Sequence, residues 1–105
     1  MIDWDRVEEL KSEVGEEDFA EIIGMFFEEV EDVLQRLCQP NSTAQASDLH
    51  FVKGSALNIG LAEVSDLCRS METRLRDNPN AAVDLAKLQG VFRVSKAELW
   101  GGIAP

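Results

Sequence analysis

The chain has 105 residues, 45% of them hydrophobic and 29% charged, with three prolines. That suffices for one folded domain with one core, is too short for two, and is not the composition of a disordered segment. The formal charge of −10 argues against nucleic acid, which would have to be met with lysine and arginine, and against an anionic membrane surface.

The N-terminus, Met1-Ile2-Asp3-Trp4-Asp5, lacks the basic segment and apolar run of a signal peptide, and no stretch approaches the roughly 18 apolar residues of a membrane span. A cytoplasmic location is the expectation. The charge is uneven: residues 1 to 32 hold thirteen acids and two bases, whereas residues 33 to 105 hold seven acids and eight bases. The near-neutral part is where an added anion is tolerated.

The spacing predicts a first helix over residues 4 to 14, with Asp3 as N-cap, Trp4, Val7, Leu10 and Val14 as its apolar edge and Gly15 as its stop. So short a segment needs longer helices to pack across. A second helix, about 16 to 38, has the strongest pattern in the chain: Phe19, Ile22, Ile23, Phe26, Val30, Val33, Leu34 and Leu37 follow helical spacing. Glu16, Glu17 and Asp18 complement its positive end, and Pro40-Asn41-Ser42 breaks it. Its other faces carry Glu21, Glu28, Glu29, Glu31 and Asp32, which read as a solvated surface in preference to a cation site because no calcium-loop spacing is present. Gly24 marks either a close crossing or simple tolerance.

The third helix, roughly 42 to 59, takes Ser42 or Thr43 as its cap and ends at Gly60. A fourth, about 61 to 76, turns Leu61, Val64, Leu67, Cys68, Met71 and Leu75 inward and packs antiparallel to the third. After the turn Asp77-Asn78-Pro79-Asn80, a fifth helix of about 81 to 100 uses Leu85, Leu88, Phe92 and Leu99, and Gly101-Gly102 stops it. No alternating strand pattern exists. The fold class is therefore all-α: an antiparallel up-down four-helix bundle with a short N-terminal accessory helix. Cys38 and Cys68, each on an apolar face, read as buried thiols of a reducing compartment and not as a disulfide.

The third helix holds the only histidine. At about 100° per residue, Leu49, Val52, Ala56 and Ile59, with Gln45, share one face and form the core stripe. His50 lies roughly 145° from the middle of that stripe, so its imidazole faces solvent. Gly54, one turn on, points outward beside it, and Lys53 lies on the flank next to the same strip. A mid-helix glycine costs about 1 kcal/mol relative to alanine, which suggests a close approach by something else. Phe51 and Leu57 also project away from the core and give the histidine an apolar surround suited to docking. From position alone, an ordinary surface histidine remains the commoner reading.

The pattern His50-x-x-Lys53-Gly54-Ser55-Ala56, with Asn58-Ile59-Gly60 and then Leu67-Cys68-x-x-Met71-Glu72, resembles the histidine-containing phosphotransfer (HPt) domains of multistep phosphorelays. The likeness extends loosely over nearly all of residues 1 to 105 as a single HPt-like domain. It implies that His50 carries a phosphoryl group between the aspartates of response-regulator receiver domains, with a hybrid sensor kinase as a further candidate partner. A neutral imidazole has a lone pair for such a transfer. Lys53 would supply positive charge, Gly54 would let the partner backbone approach, and Ser55 would either hydrogen-bond locally or simply be small.

Arg69, Arg74 and Arg76 could extend the positive field, Arg76 being favoured because it lies one turn after Glu72. The resemblance also implies a polar side chain that orients the imidazole, which the sequence does not identify. Magnesium is expected on the partner receiver domain, with no cofactor or metal on this chain. No glycine-rich phosphate loop is present, so ATP-dependent kinase activity is not expected. The default oligomeric state is a monomer. Two rival readings stay open: a helical protein-interaction adaptor with no phosphotransfer, and a thiol enzyme using Cys38 or Cys68.

Overall fold

Asp3 opens the first helix as its sequence position predicts: its carboxylate accepts the Arg6 N–H at 3.2 Å, and α1 (Trp4–Val14) runs from there to Gly15 at φ 88°. The computed structural model describes residues 1–103. Among the described residues all regular structure is helical.

In α2 (Glu16–Leu37) the buried face is Phe19, Ile23, Phe27, Val30, Leu34 and Leu37. Phe27 was absent from the expected stripe, and Phe26, which was in it, is only half-buried, as are Ile22 and Val33. In the run Met25-Phe26-Phe27 each step rotates the side chain by about 100°, and the neighbour across the bundle decides which ring goes in. That neighbour is α5 (Leu85–Ile103): the Phe27 ring meets Phe92 edge-on at 5.8 Å between centroids and Trp100 at 5.6 Å. Gly24 borders open space, so no close crossing requires it.

Cys38 corrects the expectation of two buried thiols. The helix ends at Leu37, and Cys38 is its C-cap at ψ 1°, exposed to solvent, whereas Cys68 is buried.

The next helix, α3 (Ala46–Asn58), begins later than a Ser42 or Thr43 cap would start it. Asp48 is the reason: its carboxylate accepts the Gln45 N–H at 3.1 Å and ion-pairs with Arg36 of α2 at 2.8 Å, which fixes the first turn at Ala46. Gln45 is thereby exposed and leaves the stripe, while Leu49, Val52, Ala56 and Ile59 are buried as expected.

Gly60, at φ 78°, turns the chain into α4 (Ala62–Asp77). Its carbonyl accepts the Asp3 N–H at 2.7 Å, and a Cβ on it would stand 2.7 Å from the Asp3 carbonyl oxygen. Arg6 adds a bond from Nε to the Asn58 carbonyl at 3.0 Å, where the end of α3 leaves acceptors unpaired. So α1 braces the tight turn between α3 and α4.

In α5 two expectations fail. Residues 81–84 are not helical, because Asp84 caps the helix by accepting the Lys87 N–H at 2.9 Å. Gly101-Gly102 does not stop it: the helix continues to Ile103, and the Trp4 ring occupies the space a Cβ on Gly102 would need. The glycine serves α1 packing and does not end α5. Leu88, Phe92, Ser95 and Leu99 face inward, and Leu85 is half-buried. Helices α2 to α5 form the up-down bundle, about 43 Å long, with α3 and α4 in its most extensive contact.

Candidate functional site

The seam between α3 and α4 brings together groups that lie far apart in sequence. On α3, the core stripe fixes which way the helix is turned, and His50 is left outward with its side chain 63% exposed. On α4, Glu72 lies next to the apolar stripe and is drawn under α3, where its side chain is 2% exposed. Glu72 Oε2 stands 3.1 Å from His50 Nδ1, Oε1 accepts Lys53 Nζ at 2.6 Å, and Arg76 Nη2 pairs with Oε2 at 2.6 Å. One carboxylate therefore gathers three nitrogen groups.

A buried carboxylate without partners would favour its neutral form. Here the Lys53 hydrogen bond, opposed by burial and reinforced by the Arg76 charge and the His50 contact, holds the Glu72 carboxyl below its ordinary value. Glu72 is thus ionised at neutral pH and can only accept. It follows that Nδ1 of His50 carries the proton, and that the lone pair of the neutral ring is on Nε2.

The expected site residues separate by position. His50 and Lys53 meet on Glu72, but Lys53 is only 19% exposed and is engaged by the carboxylate. Gly54 is exposed, and a Cβ built on it would touch nothing within 4 Å, so the bundle itself has no need of a glycine there. Ser55 is buried, about 140° around the helix from His50, and belongs to the packing face. Phe51 and Leu57 are exposed, which leaves apolar surface next to the imidazole and two turns further along the same helix. Of the three arginines on α4, Arg69 turns to Asp66, and Arg76 alone ion-pairs with the site.

Glu72 is the orienting side chain that sequence reasoning missed. A usable signal existed: in an antiparallel hairpin, residues equidistant from the turn face each other, and His50 precedes Leu61 by as many positions as Glu72 follows it. Beneath the network, burial and the Glu72 charge, against Lys53, push the Cys68 thiol up to about 12, so it is a neutral packing group and not a nucleophile. Among the described residues no helix is long and apolar enough to cross a membrane, and no three metal-ligating side chains come together.

The family model described as Hpt domain matches residues 21–98. No curated protein and no solved structure matches the chain.

Proposed function

The chain belongs to the Hpt domain family, whose members carry out histidine phosphotransfer in phosphorelays, and on that premise we propose that His50 is the residue that is phosphorylated. It exchanges the group with the aspartates of response-regulator receiver domains, in the cytoplasm. The observation that carries this reading is the exposed imidazole whose Nδ1 is held by an ionised, buried carboxylate.

In the proposed step the Nε2 lone pair forms a bond to the phosphorus of an aspartyl phosphate. The bond from phosphorus to the aspartate oxygen breaks, and the carboxylate leaves with the electron pair. Because Nδ1 keeps its proton, the ring passes from neutral to cationic. Glu72, 3.1 Å away, compensates that charge as it develops, in the manner of a carboxylate behind a catalytic histidine. The transition state is loose, with negative charge on the equatorial oxygens, so the bundle contributes placement and positive field. Lys53 and Arg76 provide that field.

Gly54 supports docking, since it leaves the backbone bare one turn from His50 and the space above it is open. Phe51 and Leu57 supply the apolar contact of a transient interface. Magnesium belongs to the receiver domain in this reading, and the chain does no nucleotide chemistry.

The test is incubation with a receiver domain charged from labelled acetyl phosphate. The wild-type chain takes up acid-labile, alkali-stable label and His50→Gln takes up none. Equal labelling of the two rejects His50 as the acceptor, and receiver binding without any transfer by the wild type returns the chain to the adaptor reading.

A further inference from the structure

Two cations share the Glu72 carboxylate, and the structure treats them differently. Lys53 is 19% exposed, and its ammonium is committed to Oε1. Arg76 is 65% exposed and shares Oε2 with His50 Nδ1, so its guanidinium lies beside the imidazole with most of its side chain in solvent. Resting on the phosphotransfer reading above, we propose that Arg76, and not Lys53, is the cation that binds the phosphoryl group on His50, and that it does so by leaving Glu72.

The argument is one of charge before and after transfer. Before transfer, in the form of the ring that has a lone pair to offer, Oε2 serves one cation, Arg76, and one uncharged N–H. After transfer the ring is cationic and its Nδ1–H competes for Oε2 as a charged donor, while a dianionic phosphoryl group has appeared on the same ring. Both changes act on Arg76 in one direction: its hold on Oε2 weakens and a stronger acceptor lies within side-chain reach. A guanidinium also offers parallel N–H groups to two phosphoryl oxygens, which an ammonium does not. Lys53 remains on Oε1 and keeps the carboxylate aimed at Nδ1. Arg76 is then a phosphate-binding residue, and Lys53 a positioning residue.

The experiment phosphorylates the whole protein with phosphoramidate, which needs no partner, and follows the lifetime of the phosphohistidine. Arg76→Gln shortens that lifetime by about tenfold, the loss of one charge-assisted contact, and Arg76→Lys recovers part of it. The tautomer of His50, read from nitrogen chemical shifts of the unphosphorylated ring, stays as in the wild type in Arg76→Gln and shifts in Lys53→Met. A lifetime in Arg76→Gln within twofold of wild type, or a Lys53→Met chain whose tautomer is unchanged and whose phosphohistidine lifetime is shortened as much as in Arg76→Gln, overturns the assignment. A wild-type chain that accepts no label from phosphoramidate or from a charged receiver overturns the parent reading instead.

Discussion

Two lysine–carboxylate pairs bridge this bundle at nearly the same distance, 2.6 Å for Lys53–Glu72 across α3 and α4 and 2.5 Å for Lys96–Glu31 across α2 and α5. Their surroundings differ. Glu72 is sealed under a helix and bonded to two further groups, whereas Glu31 and Lys96 are 47% and 35% exposed, with the ammonium resting above the Phe27 ring. A short contact in water contributes little, because solvent already serves both charges. A carboxylate removed from water has to be paired and hydrogen-bonded within the protein. So the α2–α5 seam is held by its aromatic core, with an ion pair laid over it, while the α3–α4 seam is organised around a charge. The first contributes stability and the second holds the His50 imidazole in place.

The sharpest way to break this division is Phe27→Ala. Removing the ring that packs on Phe92 and Trp100 should destabilise the fold by about 3–5 kcal/mol, measured by denaturant unfolding. Label uptake by His50 should persist wherever the variant is still folded. If uptake is lost while the fold survives, the two seams are not separable.

A smaller, pH-dependent effect belongs to Glu72. Its carboxyl is held below its ordinary value in the folded chain, so on acidification the unfolded chain binds the proton first. The stability contributed by Glu72 is therefore present above the ordinary carboxylate range and is lost as pH falls through the folded value. Unfolding midpoints of wild type and Glu72→Gln should converge on going from about pH 7 to about pH 3, with the variant the less stable at the upper end. A constant gap would mean that the carboxylate is not held by its partners. The least effect is expected for Glu31→Gln, under about 0.5 kcal/mol by the same unfolding measurement. A larger loss would place real stability in the exposed pair.

These contrasts also mark what the sequence could and could not say. The limits of α1 were legible because Asp3 and Gly15 act locally, one by a side-chain cap and the other by its φ. The outward direction of His50 was legible because four apolar residues fix the turn of α3. Glu72 was quoted in the motif, yet its burial depends on how α3 lies against α4, which the helical periodicity of α4 alone does not encode. Gly101-Gly102 misled for a related reason: a glycine that ends helices in isolation was instead making room for Trp4, nearly one hundred positions away. Phe27 and Phe26 are neighbours of the same chemistry, and only the α5 surface distinguishes them. Cys38 was misplaced because it is the cap just past the last helical residue, where continued helical spacing no longer implies burial.

That last difference has a practical side. With Cys68 enclosed and Cys38 in the open at the end of α2, where the Arg36–Asp48 pair ties that helix to the first turn of α3, the chain offers a native point of attachment for a fluorophore. A dye placed there would sit at the same end of the rod as the histidine-bearing turn and could follow partner arrival in real time, with the sequence left untouched.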